Sequence, residues 1–149
     1  MDLKKVWAMY FSPTGGTEKA VKTTAEALAD KLGLPLDTYD FTLPDMREGE
    51  AVFGEGDIVV CGTPVIAGRV PNVLLPYLTG RVKGNGALAV PVVSYGNRNF
   101  DDALMELRNI LEEDGFKTVA GGAFVRPIEN TPRALSPTAK NPCAFLPMW

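Results

Sequence analysis

Histidine is absent from this 149-residue chain, and cysteine occurs only twice. Without imidazole there is no histidine-based nucleophilic triad and no metal centre with imidazole ligands. Cys61 lies in an apolar run and Cys143 among prolines, with no Cys-x-x-Cys spacing. Cys61 reads as a small buried hydrophobe, and the sequence leaves a disulfide between the two open. An apolar run of about 18 residues is also missing, so no membrane span is expected. Nor is there an excess of positive charge: 15 basic against 18 acidic residues give a net charge of −3, no basis for nucleic-acid binding. Residues 1–6 lack the apolar core of a secretory leader, which makes the cytoplasm the expected compartment. Chemistry beyond simple acid–base work must then come from a cofactor. No side chain stands out as catalytic and no group as a metal site.

A 46% hydrophobic and 22% charged composition is that of an ordinary globular protein, and the length fits one domain. Strand and helix patterns alternate, the signature of an open parallel sheet with helices on its faces. The first strand runs over Lys5–Phe11. A helix follows over about Thr17–Leu32, with Val21, Ala25, Leu28 and Leu32 on one stripe and Gly33 as its stop. Leu34–Asp40 is a second strand. Phe41–Gly56 reads as a turn-rich connection with at most one helical turn near Pro44–Glu50. Asp57–Gly62 is almost unbroken apolar sequence, as expected of a central strand covered on both faces. Pro71 suits the start of a short helix that Pro76 limits. Ala87–Ser94 is the fourth strand, where Pro91 predicts a bulge or break. Asp101–Asp114 is a second clear helix, with Ala103, Leu104, Leu107, Ile110 and Leu111 inward. Lys117–Val125 is a fifth strand weakened by Gly121-Gly122.

The densest chemistry follows the first strand. Ser12-Pro13-Thr14-Gly15-Gly16-Thr17 brings hydroxyls and glycines to the point where a helix leaves its first N–H groups unpaired, and such a place suits a phosphate. A capped helix after a tight turn is the plainer reading of the same residues. Two commoner phosphate loops are excluded: no Gly-Lys pair exists for a P-loop, and Gly15-Gly16 does not supply Gly-x-Gly-x-x-Gly. Hydroxyls without a lysine favour a phosphate carried by an organic cofactor. Two further loops, Thr63–Pro71 and Ser94–Phe100, fall at the carboxyl ends of the third and fourth strands, the edge where open α/β sheets bind ligands.

With these loops in order, the chain resembles the flavodoxin family over about residues 4–125. The motifs are Ser-Pro-Thr-Gly-Gly-Thr, then Gly62-Thr63-Pro64-Val65 with Gly68 and Pro71, then Tyr95-Gly96-Asn97-Arg98-Asn99-Phe100. It is most similar to the flavodoxin half of bacterial proteins that fuse such a domain to a ferredoxin-like iron–sulfur domain. The resemblance implies an α/β fold with a five-stranded parallel sheet of order 2-1-3-4-5 and one bound FMN. It also implies that Ser12, Thr14, Gly15, Gly16 and Thr17 hold the phosphate. Thr63, Pro64, Val65, Ile66, Ala67 and Gly68 would lie against one face of the isoalloxazine, and Ser94, Tyr95, Gly96, Asn97 and Phe100 would line the other.

The chain departs from that family in three places. Val65-Ile66-Ala67 stands where an aromatic is usual, leaving Phe100, or else Tyr95, to stack on the ring. Arg69 and Arg98 occur in the ring loops, offset by Asp101 and Asp102. Residues 126–149 carry Pro127, Pro132, Pro137, Pro142 and Pro147 and do not read as the family's fifth helix. They are expected to form an irregular tail on the 1–125 domain, with that tail or a second subunit covering the sheet face. The implied function is FMN-dependent electron transfer with an iron–sulfur protein or a reductase as partner. The alternatives are an FMN-dependent NAD(P)H:quinone-type reductase, in which the arginines grip a nucleotide phosphate, and a partner-binding module without flavin.

Overall fold

A computed structural model describes residues 3–13, 15–66, 69–95 and 102–125, and the backbone of 143–146. Its main sheet is built from β1 (Lys5–Tyr10), β2 (Leu36–Asp40), β4 (Asp57–Pro64), β6 (Leu88–Tyr95), β7 (Lys117–Thr118), β8 (Gly121–Val125) and β9 (Cys143–Leu146). The order across it is β2-β1-β4-β6-β8-β9, with β7 also on β6. All pairs are parallel except β8–β9. The expected order 2-1-3-4-5 is therefore present, with an antiparallel edge strand added. That strand corrects the expectation that the whole tail is irregular: between Pro142 and Pro147, residues 143–146 pair with Phe124 back to Gly121. The rest of the tail lies outside the described residues.

Helix α1 (Gly16–Leu32) covers one face of the sheet, over Val6, Ala8, Tyr10, Ile58, Val60, Val90 and Val92. Its inward stripe is Ala20, Val21, Ala25 and Ala29, with Leu28 half-buried and Leu32 44% exposed. Leu28 packs at the margin of this core, whereas Leu32, expected on the same stripe, lies at the exposed end of the helix. Gly33 ends it in the left-handed region, φ 67°, with its N–H on Ala29 O. On the other face, α2 (Leu75–Gly80) and α3 (Ala103–Glu113) bring Leu78, Leu104, Leu107 and Leu111 onto Met9, Val59, Cys61, Ala89 and Val93. Each fully buried aliphatic side chain there contributes about 1.5–3 kcal/mol by leaving water. The inward residues expected of α3 are the buried ones.

Two local expectations are corrected. The Phe41–Gly56 connection does hold one 3₁₀ turn at Pro44–Arg47, but it also contains β3 (Ala51–Val52), which pairs with β5 (Val82–Lys83) in a small second sheet. Secondly, β6 runs through Pro91 unbroken, with Pro91 opposite Cys61. The irregularity lies in the neighbouring strand. From Leu88↔Lys117 to Val92↔Gly122, β6 advances four residues and its partner five. Lys117 and Val119 donate to Ala87 O and Ala89 O, and the strand alternation points Pro91 to the same side. Its missing N–H thus faces the step between β7 and β8 at Val119 and Ala120, where the regular pairing is interrupted.

Candidate functional site

The carboxyl ends of β1, β4 and β6 lie side by side, and short hydrogen bonds tie the three loops together at their roots. Phe11 donates its N–H to Gly62 O (3.1 Å) as the chain leaves β1. Ser12 is then held twice: its N–H donates to Thr42 Oγ1 (2.9 Å), and its Oγ accepts from Glu18 N (2.9 Å). Thr42 donates both its hydroxyl (2.5 Å) and its N–H (2.9 Å) to Asp40 Oδ1. Gly15 takes φ 91°, and a Cβ there would stand in open space. The first intrahelical bond that follows is Lys19 N to Gly15 O (3.1 Å). The N–H groups of Gly16 and Thr17 precede it, at the positive end of the helix dipole. Among the described residues this is an open place at Gly15 beside a hydroxyl and a helix N-terminus, a fit for a phosphate monoester.

Thr17 is turned the other way. It is buried, and its Oγ1 lies 2.7 Å from Ser94 Oγ at the end of β6. Thr17 therefore offers this open place its backbone N–H, while its hydroxyl pins the helix start to the sheet. Gly62 makes that approach possible: a Cβ on it would lie 2.1 Å from Val21 Cγ2 and 3.1 Å from Thr17 Cγ2. Thr14 lies outside the described residues.

In the second loop, Thr63 is fully buried and its Oγ1 has no partner among the described residues. Pro64 stands opposite Ser94 in the sheet, and Val65 N donates to Ser94 O (2.8 Å), carrying the ladder one step further. Ile66 and Arg69 then exchange backbone bonds of 2.9 and 3.1 Å as an isolated antiparallel bridge, with Ile66 56% exposed. Ala67 and Gly68 lie outside the described residues. Arg69 is engaged: its Nη2 reaches Glu106 Oε2 at 2.6 Å, and Val70 N donates to Glu106 Oε1 at 2.8 Å. Burial pushes the Glu106 carboxyl up, but the bonds from Arg69 and Val70, with the guanidinium charge, outweigh it and hold the carboxyl below its ordinary range.

The third loop begins at Ser94, buried, and Tyr95, half-buried against the α2/α3 core. Gly96, Asn97, Arg98, Asn99, Phe100 and Asp101 lie outside the described residues. Asp102 resumes the chain as the N-cap of α3, its carbonyl accepting from Glu106 N (2.8 Å). Cys61 behind the site carries a free thiol, pushed up to about 12 by burial with a smaller contribution from Asp114. Among the described residues no group of acidic and cysteine side chains is placed to hold a metal ion. Sequence reasoning missed Asp40, Thr42 and Glu106. The first two carry a weak signal, Asp-x-Thr at the carboxyl end of a strand; Glu106 carries none, because its partners come from another loop.

No protein-family model matches the chain, and no curated protein matches it in sequence. Solved structures do match in three dimensions. A flavodoxin from the domain Archaea superposes with a TM-score of 0.59 at 14% identity, over 76% of this chain and 77% of that one. A Streptococcus pneumonia TIGR4 flavodoxin gives a TM-score of 0.58 at 21% identity, over 82% and 83%. The fold of this chain is flavodoxin-like.

Proposed function

We propose that this chain binds FMN at the carboxyl edge of its sheet and serves as an electron carrier. The carrying observation is the mouth at Ser12–Thr17. There a left-handed glycine, a helix N-terminus and the Ser12 hydroxyl meet beside two other loop roots on adjacent strands. Ser12 Oγ already accepts from Glu18 N, so its own proton remains to be donated to a phosphate oxygen. The N–H groups of Gly16 and Thr17 supply the remaining donors. Val65, held to Ser94, and the bridge between Ile66 and Arg69 would border the ring. Bound FMN would supply the electron chemistry, and the protein binding, orientation and electrostatics. Both superposed structures are of proteins named flavodoxins, which supports the same reading.

An iron–sulfur protein or a reductase is the proposed partner. In the reductase alternative Arg69 and Arg98 would grip a nucleotide phosphate. Arg69 is bound to Glu106, which favours the carrier. The test is a visible absorption spectrum of the purified protein before and after addition of FMN and desalting. Flavin bands that survive desalting support the proposal; a protein that stays colourless overturns it in favour of a flavin-free binding module.

A further inference from the structure

The second and third loops are joined by one carboxylate. Glu106 lies in the first turn of α3, directly after the third loop, with its backbone N–H on Asp102 O. Its two oxygens are divided between consecutive residues of the second loop, Oε2 to the Arg69 guanidinium at 2.6 Å and Oε1 to Val70 N–H at 2.8 Å. Both bonds are charge-assisted, the stronger class of hydrogen bond. The Glu106 side chain is largely buried, its exposure 18%, whereas that of Arg69 is 63%. The arginine is thus a surface cation drawn toward a fixed anion. The Ile66–Arg69 bridge is immediately adjacent, so one carboxylate bonds both the backbone at the end of that bridge and the one described positive charge of the second loop.

We propose that Glu106 is the positioning residue for the end of the second loop, clamping Val70 and holding the Arg69 guanidinium on α3. The consequence for electron transfer rests on the FMN reading above; the clamp itself does not. Once released, a guanidinium beside the second loop would favour the more negatively charged reduced flavin, at a strength that falls with salt.

The experiment uses the full chain and the variants E106A, E106Q, R69Q and R69Q/E106Q. Amide hydrogen exchange is followed at Val70 without FMN, and the midpoint potential with FMN at low and high salt. In E106A, exchange at Val70 is expected to rise at least about tenfold. E106Q, whose amide oxygen can still accept from Val70, restores most of that protection. E106Q raises the midpoint potential at low salt. R69Q lowers it further in the E106Q background than in the wild type, because only there is the guanidinium unclamped. Unchanged Val70 exchange in E106A overturns the clamp. Strictly additive shifts from E106Q and R69Q overturn the claim that Glu106 places the charge. If the wild type retains no FMN, the flavin reading fails alone, and the exchange measurement still decides the clamp.

Discussion

Thr17 Oγ1 and Ser94 Oγ meet 2.7 Å apart in the interior, 77 residues apart in sequence, one at the first turn of α1 and the other at the end of β6. Their bond fastens the mouth of the first loop to the root of the third. Replacing Thr17 by valine keeps the shape and leaves Ser94 without its partner. T17V is therefore expected to lose about 1–3 kcal/mol, the cost of a buried unsatisfied hydroxyl, while T17V/S94A recovers part of the loss. Urea unfolding of the wild type, T17V, S94A and T17V/S94A measures this; a double variant as unstable as the sum of the two single losses would show that the pair is not coupled.

Gly62 lies beneath the same helix. G62A places a methyl group where Val21 Cγ2 already is, at 2.1 Å. Val21 is fully buried and cannot swing into solvent, so α1 must lift from β4. The expected loss is about 1–3 kcal/mol, as for other overpacked cores. G62A/V21A is expected to be more stable than the two single losses predict. Thermal melts of the four proteins read the coupling, and simple additivity would argue against the contact.

Ser12 serves the helix and, in the proposed function, the cofactor. S12A removes the acceptor of Glu18 N. Loss of that bond to a first-turn N–H costs about 0.5–1.5 kcal/mol. Loss of one hydrogen-bond donor to the charged phosphate weakens FMN binding by about tenfold or more. Unfolding of the apoprotein and a fluorescence titration with FMN separate the two effects; an S12A protein that melts like the wild type and binds as tightly contradicts both.

Asp114 gives the fold a pH dependence. It follows the last turn of α3, and its Oδ2 is buried without a partner among the described residues. Burial raises the carboxyl to about 7 from its ordinary 3.8, with Lys83 opposing and Glu113 adding to the shift. A folded value above the unfolded one means that the native state holds the proton more tightly. Its stabilising contribution is complete below pH 3.8 and is lost as pH rises through about 7. D114N is expected to match the wild type in acid, gain on it steadily across that window, and keep a constant advantage above it. Urea midpoints taken from pH 4 to 8 test this, and parallel profiles would overturn it.

Much of the architecture was legible in the chain because its signals are local. An apolar run such as 57–62, a stripe such as Ala103, Leu104, Leu107, Ile110 and Leu111, and a glycine stop at Gly33 are each set by neighbours within a few residues. Pro91 marks the limit. Its missing donor does predict an irregularity, but whether β6 or its neighbour yields depends on which side the residue faces, and the structure puts the extra residue at Val119–Ala120. The strand at 143–146 was illegible for a similar reason: four residues between prolines have no pattern of their own and pair because the edge of β8 is there.

At the site the division is the same. The sequence by itself determined that a hydroxyl- and glycine-rich turn would open a helix after the first strand, since Gly15 and the hydroxyls act within one turn of chain. It also determined which three loops share a sheet edge, because strand alternation alone sets that. Only the tertiary structure decided what the side chains do there. Thr17 turns inward to Ser94, Asp40 and Thr42 hold Ser12, and Arg69 bonds to Glu106. A hydroxyl or a charge bonds to whatever long-range partner packing brings within about 3 Å, and no local pattern records that distance.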